Sequence, residues 1–342
     1  MTRGTRVKKR RIWLVVLIVL VLLAVAAVWF FCDTVTDTLM IDTPSQITVT
    51  VAWNPHSTAD DMIRAMAGGM DTQLTLQNIP GANGANGANS VWGAEHDGES
   101  LLSTSLSALV TSEAMGFADS SFRDWAVWLS AFSPAMVVVA ADSPYHTMDD
   151  LIAALRQNPD SYRCANPGFG SVGFAAAQLL KTRLSFEFEI TSNTGNNTVS
   201  KSLFDGEADF AVLLSIDAAS YLRSGELRAL GAFGETGTVP SVAGLGDKLD
   251  AILPFGEYYG LFAPSDTSEN RLRGLDSIIS AAITSEAFTV FLHDRELVPA
   301  APDRKQGGET SEHIASLLCW TLYDAGYLPT GPDTLGIGKS TD

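Results

Sequence analysis

The glycine-rich stretch from Pro167 to Gly173, PGFGSVG, is the first candidate for a functional site in this chain. Its glycines at 168, 170 and 173 have the spacing G-x-G-x-x-G, which brings a pyrophosphate close to a helix N-terminus in dinucleotide-binding folds. That motif follows a long apolar strand, whereas the short segment YRCAN precedes it here. Glu187 and Glu189, about twenty residues on, alternate with apolar residues as on the solvated face of a strand. The sequence therefore disfavours a dinucleotide site.

Nucleophilic and metal-binding patterns are also missing from the sequence. Ser171 lacks the serine elbow G-x-S-x-G, because the residue two positions before it is Phe169. The five histidines are scattered, without H-E-x-x-H or C-x-x-C. Beyond Cys32 the chain has Cys164 and Cys319, which leaves one disulfide between them open. We predict no catalytic site, no metal and no cofactor.

Four loops instead share a composition suited to anions. Each follows a predicted strand, opens a predicted helix, is rich in small or polar residues, and contains no Lys or Arg. A helix start exposes unpaired N–H groups and a partial positive charge, and small residues let a ligand approach that backbone. The loops are Asn54–Asp60, Gly81–Asn89, Pro167–Gly173 and Asn193–Thr198. We expect them to face one cleft at the carboxyl ends of the strands.

Strand and helix patterns alternate along the chain, which indicates an α/β fold. The most apolar strand candidate, Pro134–Ala141, separates two α/β modules, and the later strands LRALGAF and YYGLFAP suggest a return to the first module. We therefore predict two lobes hinged on two crossing strands, as in type II periplasmic-binding-protein-like folds. The predicted limits are 46–137 with 229–328 for lobe 1, 138–228 for lobe 2, and 329–342 for a flexible tail.

The N-terminal segment has the pattern of a membrane anchor. Six basic residues precede an uncharged run from Ile12 to Phe31, whose twenty residues span about 30 Å as a helix. The basic flank predicts a cytoplasmic tip. We predict a tip and signal or anchor helix over 1–32 and a stem over 33–45. Bulky residues at 29–31 favour an uncleaved anchor, although cleavage and secretion, or lipidation of Cys32, stay open.

The exported part is strongly acidic. Six of the 22 Lys and Arg precede the apolar run, so residues 33–342 carry 16 basic residues against 39 Asp and Glu. Such a surface repels nucleic acid and anionic lipid. We predict an extracytoplasmic protein, at the cell surface or in the periplasm, with no nucleic-acid partner.

Several motifs together resemble the extracytoplasmic solute-binding proteins of tripartite tricarboxylate transporters, the Bug or TctC-like family. The most specific are PGANGANGAN, NPGFGSVG and LFDGEADFAV, followed in order by VPSVAGLG and YYGLFAP. The resemblance extends from about Ile47 to Ala301. It implies two α/β lobes that close over a small organic carboxylate, held by one loop from each lobe through backbone amides, hydroxyls and water.

The resemblance also implies the site. The family's ligand-binding positions correspond here to the two loops after Pro80 and Pro167, one from each lobe, and to the loop Asn54–Asp60. They also correspond to three positions in the cleft wall where the family's usual residues are replaced. Asp60 matches a family aspartate, and its role is either a ligand contact or a helix cap. The tyrosine that replaces the family's usual tryptophan is Tyr258 or Tyr259. The predicted ligand-binding residues are His56, Ser57, Thr58, Asp60, Gly81, Ala82, Asn83, Gly84, Gly168, Phe169, Gly170, Ser171, Asn193, Thr194 and Tyr258.

The functional prediction is a monomeric solute-binding protein that delivers its ligand to membrane transporter subunits. The ligand expected is a di- or tricarboxylate, an acidic amino acid or an aromatic acid. One alternative is a membrane-anchored sensor or scaffold that uses the same cleft. A second is an exported hydrolase with Ser171 as its nucleophile.

Overall fold

The computed structural model describes residues 19–27, 41–168, 170–193, 195–300 and 303–340. Residues 19–27 are helical and exposed, but the rest of the predicted anchor, Cys32 and most of the stem lie outside the described residues. Within the described residues no single helix is long and apolar enough to cross a membrane. One bent pair, Glu269–Ile283 with Glu286–Asp294, meets that test by length and composition. The anchor stays a prediction.

The described chain alternates strands and helices, as predicted. The strands are β1 Gln46–Val51, β2 Gln73–Asn78, β3 Ser100–Ser105, β4 Trp125–Ala140, β5 Arg163–Asn166, β6 Glu189–Ser192, β7 Phe210–Leu214, β8 Leu227–Ala232, β9 Gly256–Pro264 and β10 Val298–Pro299. The helices are α1 Thr58–Ala67, α2 Ala85–Trp92, α3 Leu106–Ser112, α4 Met148–Gln157, α5 Val172–Leu184, α6 Asn196–Phe204, α7 Ser215–Ser224, α8 Asp247–Asp250, α9 Glu269–Ile283, α10 Glu286–Asp294 and α11 Arg304–Asp324.

The strands form two groups that share β4. The order β2-β1-β3-β9-β4-β7-β5-β6 runs through both, and β8 and β10 also pair with β4. Trp125–Pro134 of β4 pairs with β9, whereas Ala135–Ala140 pairs with β7 and β8. We call the group containing β1, β2, β3, β9 and β10 the first lobe, and the group containing β5, β6, β7 and β8 the second lobe. In both lobes parallel strands deliver their carboxyl ends to helix starts.

Two passages connect the lobes. β4 crosses once, between Pro134 and Ala135, and the chain returns through the segment between β8 and β9. There Phe233 N donates to Ala135 O at 2.8 Å, and Phe255 N donates to Phe233 O at 2.8 Å. The crossing is therefore held by backbone hydrogen bonds among three chain segments. The predicted lobe limits at 137/138 and 228/229 stay predictions.

Helix starts follow the capping chemistry of the sequence. Thr147 caps α4 in a capping box with Asp150, as its spacing predicts. The spacing Thr58-x-x-Asp61 also predicts a capping box, but the N-cap of α1 is one residue earlier, at Ser57, whose hydroxyl accepts from Asp60 N at 3.3 Å. This shift brings Asp60 into the first turn, where its carboxylate can accept from the preceding loop.

The structure differs from two predictions of the sequence. The strand predicted over Pro134–Ala141 is the second half of β4, which begins nine residues earlier at Trp125. The flexible tail predicted over 329–342 is packed over 329–340, where Ile337 is buried. Its carbonyl oxygen accepts from Trp320 Nε1 at 3.0 Å, and Arg123 donates to Leu335 O at 3.1 Å. These contacts fix the end of the chain on α11 and on the turn before β4.

Candidate ligand-binding cleft

A cleft of about 340 Å³ lies where strands of both lobes end. The first lobe contributes the starts of α1 and α3, and the second lobe contributes the starts of α5, α6 and α7. The lining residues are Trp53, Ser57, Thr58, Ala59, Asn83, Ser105, Ser107, Thr111, Pro167, Gly170, Ser171, Val172, Gly173, Asn196, Leu214, Asp217, Glu257, Tyr259 and Leu318. None of these described lining residues is a Lys, an Arg or a His.

The first predicted loop contributes Ser57 and Thr58, but not His56. The His56 side chain is 88% exposed and turns away, with its own backbone at a positive φ of 65°. Trp53 closes the base of the loop, since its Nε1 donates to Thr104 Oγ1 at 3.1 Å. The start of α1 therefore faces the cleft through hydroxyl groups and peptide N–H groups.

Asp60 supports that loop from behind. Its side chain is fully buried, and it accepts hydrogen bonds from His56 N at 2.9 Å, Asn78 Nδ2 at 3.1 Å, and Arg64 Nε and Nη2 at 2.9 and 3.2 Å. The bond from Arg64 contributes most to a pKa lowered from 3.8 to about 2. Asp60 is absent from the described lining, so its geometry is that of a residue that positions the loop.

Replacing Asp60 by alanine should lower the free energy of unfolding by about 1–3 kcal/mol at pH 7, because buried donors lose their acceptor. Because folding lowers the pKa of Asp60, its contribution to the free energy of unfolding is complete above about pH 4. The contribution is lost as the pH falls toward 2. Urea unfolding of both proteins at pH 7 and pH 2.5 measures it. Asp71→Ala, at an exposed acid, is the matched control. A deficit that stays constant down to pH 2.5 would contradict this role.

A metal site at this corner conflicts with its existing ion pairs. His56, Asp60 and Asp61 bring potential ligand atoms within 4.8 Å of one another. Arg64 already pairs with Asp60, and Arg295 pairs with Asp61. A cation would therefore compete with two guanidinium groups for these carboxylates.

The second predicted loop makes a tight turn with positive φ at Gly81, Ala82, Asn83 and Gly84. Asn83 lines the cleft, whereas the other three are absent from the described lining. A Cβ at Gly84 would meet Thr104 Oγ1 at 3.4 Å in addition to its strained φ of 88°. The turn thus brings Asn83 to the cleft edge, and its glycines satisfy backbone geometry.

Of the ligand-binding residues predicted in the third loop, Gly170 and Ser171 line the cleft. Gly170 has a φ of 85° and open space where a Cβ would project, and Ser171 Oγ caps α5 by accepting from Phe174 N at 3.1 Å. Gly173 also lines the cleft, but its missing Cβ serves packing, because a Cβ there would lie 2.8 Å from Val212 O. Gly168 is absent from the described lining, and Phe169 lies outside the described residues. The glycines at 170 and 173 therefore have different roles.

Two predicted wall residues face elsewhere. Asn193 turns toward α6, where its Nδ2 donates to Ser202 Oγ at 2.8 Å, and Asn196 lines the cleft instead. Thr194 lies outside the described residues. Tyr258 stacks on Phe132 at 4.3 Å between ring centroids, on the opposite face of β9, and is absent from the described lining. Alternate residues of a strand point to opposite faces, and Tyr259 is the tyrosine in the cleft.

The prediction missed several polar residues of the cleft. Ser105 and Ser107 flank the junction of β3 and α3, where no loop intervenes to mark the helix start. Asp217 lies in the first turn of α7 and Glu257 near the start of β9. The run SLLSTSLS carried a signal for the serines, since small hydroxyl residues directly follow a buried strand. Nothing in the local pattern at Glu257 separated it from a solvent-facing strand residue.

Glu257 is the most buried acid in the described lining, with 6% of its surface exposed. Its carboxylate accepts from Ser107 N at 3.1 Å and from the Ser107 hydroxyl. Burial raises the pKa of Glu257 to about 7 despite these bonds, and burial also raises the pKa of Asp217 to about 7. The described part of the cleft therefore carries acidic side chains without a cationic partner.

The described residues of the cleft suit ligand binding and do not form a hydrolase site. Ser171 Oγ, the nucleophile of the hydrolase alternative, is engaged as a helix cap, and no histidine is among the described lining residues. Cys164 and Cys319 are buried and free, so the disulfide that the sequence left open is not formed. The helix starts and hydroxyls supply fixed dipoles, which hold an anion without changing it.

Solved structures of other proteins share the fold of this chain. A TctC solute-binding protein from Polaromonas has a TM-score of 0.71 and 21% identity, over 83% of this chain and 98% of that chain. An R. palustris protein solved with adipate has a TM-score of 0.62 and 19% identity, over 81% and 97%. MatC from Rhodopseudomonas palustris, with bound malate, has a TM-score of 0.56 and 22% identity, over 82% and 97%. The fold is thus the two-lobed periplasmic binding protein fold, as predicted.

The family follows from the sequence match. The tripartite tricarboxylate transporter family receptor, TctC, matches residues 62–313. A UPF0065 protein of Bordetella pertussis is 25% identical over 274 residues, which are 76% of this chain and 83% of that protein. The chain belongs to the TctC family, which confirms the resemblance. It is a family of substrate-binding receptors, not of enzymes.

Proposed function

We propose that this chain captures a small organic carboxylate in the cleft between its lobes and delivers it to a tripartite tricarboxylate-type transporter. The observation that carries the proposal is the open backbone at Gly170, beside the start of α5 and in the same cleft as the start of α1. Both helices offer peptide N–H groups and a hydroxyl cap at that cleft. A carboxylate bound there contacts both lobes at once.

Relatives support the ligand class. The fold neighbours MatC and the adipate-bound R. palustris protein were solved with malate and adipate, both small dicarboxylates. A carboxylate needs convergent donors more than a formal positive charge, and helix starts provide them. Ligand binding closes the lobes because the closed state contacts the anion from both sides. The hinge is the passage at Pro134 and Ala135 with its returning segment.

The proposal includes an extracytoplasmic location and a tether. The basic flank and the apolar run from Ile12 to Phe31 would hold the lobes outside the cell, close to the transporter. A sensor with the same cleft would bind the same ligand. Uptake by intact cells distinguishes the two, since it is lost on deletion of a transport receptor and kept on deletion of a sensor.

A panel of carboxylates should contain at least one that stabilises the full-length chain, purified in a mild detergent. Binding to the folded state at 100 times Kd adds about 2.7 kcal/mol, which raises Tm by about 5 °C in a chain of this size. Differential scanning fluorimetry with malate, adipate, citrate, aspartate, glutamate and benzoate measures the shift. Matched amides and esters are the controls. No shift with any carboxylate would contradict the proposed ligand class.

A further inference from the structure

The same cleft holds a set of acceptors that a plain carboxylate cannot use. Glu257 comes from β9 in the first lobe, and Asp217 and Asn196 come from helix starts in the second lobe. All three line the cleft. The side-chain Oδ1 of Asn196 is buried and accepts no hydrogen bond from the described residues. This acceptor is free to take a hydrogen bond from a ligand or from water.

The ionisable acids and bases of the described lining are all acids. Asp217 and Glu257 interact unfavourably with each other, and no described Lys, Arg or His lines the cleft to offset them. Ser107 satisfies two hydrogen bonds of Glu257, but a neutral donor does not compensate the charge that Glu257 carries when it is ionised. Asp217 accepts no hydrogen bond that would anchor it within the described residues. The ionised acids would repel a second carboxylate placed here, whereas an ammonium group would favour their ionised forms, pair with both and donate to Asn196.

We propose that the ligand carries an ammonium group beside its carboxylate, with the ammonium held by Glu257, Asp217 and Asn196. This inference rests on the proposed function, because it assigns the carboxylate of the same ligand to the starts of α1 and α5. Glu257 belongs to one lobe, and Asp217 and Asn196 belong to the other. The ammonium therefore bridges the lobes as the carboxylate does, and both ends of the ligand favour closure.

Matched ligand pairs that differ by one ammonium group test the proposal. The pairs are aspartate with succinate, glutamate with glutarate, and alanine with propanoate, titrated by calorimetry into the full-length chain in detergent at pH 7. In at least one pair the amino acid should bind at least ten-fold more tightly than its partner. Equal or weaker binding of the amino acid in every pair would overturn the inference.

Two near-isosteric variants assign the preference to these residues. Glu257→Gln keeps an acceptor for Ser107 while removing the charge, and Asp217→Asn removes the second charge. Each should reduce the preference to less than three-fold, mainly through weaker binding of the amino acid. Glu235→Gln, at an exposed acid outside the described lining, is the control and should leave the preference unchanged. A preference that survives both variants would overturn the assignment.

The outcomes separate the two proposals. Binding of carboxylates without any preference for the ammonium group overturns this inference and leaves the proposed function standing. Failure of every carboxylate in the wider panel overturns both. Circular dichroism of each variant shows that it is folded before its binding is compared.

Discussion

Gly170→Val should abolish carboxylate binding and leave the fold intact. Gly170 lines the cleft, and its missing side chain leaves open space beside the start of α5. Valine would fill that space with three carbon atoms and hold a ligand away from the peptide N–H groups. Because hydrogen bonds weaken steeply with distance, we expect at least a 100-fold loss of affinity in calorimetry.

The control for Gly170→Val must carry the same backbone strain. Gly170 has a φ of 85°, which disfavours any residue with a Cβ. Gly206 has a φ of 70°, open space around it, and a position outside the described lining. Gly206→Val should lose similar stability and bind normally. Normal affinity in Gly170→Val, or an equal loss in both variants, would contradict the placement of the anion.

Gly256→Ala should destabilise the protein by about 3 kcal/mol, because it inserts a methyl group where the chain passes between lobes. A Cβ at Gly256 would lie 2.3 Å from Ser133 O and 2.7 Å from Pro134 Cα. Both contacts involve backbone, so no rotamer change relieves them, and the strands must separate. Guanidinium unfolding followed by tryptophan fluorescence measures the loss.

Gly237→Ala is the matched control for the crossing. No atom lies within 4 Å of a Cβ at Gly237, so its stability should change by less than about 0.5 kcal/mol. A loss below about 1 kcal/mol in Gly256→Ala would mean that the crossing tolerates separation. It would then not be the tightly packed passage described for β4 and β9.

The alternation of strands and helices was readable from the sequence, because turn residues and caps separate the elements. β4 was only half predicted. Its residues from Trp125 to Ser133 are buried on both faces and show no alternation, and Pro134 looked like a strand start. In the structure Pro134 marks the point where β4 leaves the first lobe for the second. A strand shared by two lobes is a tertiary feature that local pattern does not encode.

The cleft was partly readable for a similar reason. Small residues at the starts of α1 and α5 predicted Ser57, Thr58, Gly170 and Ser171, because helix starts after parallel strands share one edge of a sheet. Glu257 lies near the start of an antiparallel strand, which no loop rule reaches. Its burial depends on α3 packing above it, which involves a contact 150 residues away along the chain.

Strand orientation and tertiary packing explain two further differences between the prediction and the structure, at Tyr258 and in the C-terminal tail. Tyr258 and Tyr259 are adjacent, so the choice between them depends on which face of β9 meets the cleft, and the pairing with β4 decides that. The tail after residue 328 is polar and rich in glycine, which is typical of mobile ends. Ile337 is buried there against α11 because Trp320 and Arg123 bind the tail backbone.

A crystal structure of the chain with the best ligand of the carboxylate panel tests the central claim most directly. The account predicts a carboxylate within about 3.2 Å of peptide nitrogens at the start of α5 and of donors at the start of α1, with both lobes in contact. A ligand bound outside the cleft, or held by cationic side chains away from Gly170, would contradict it.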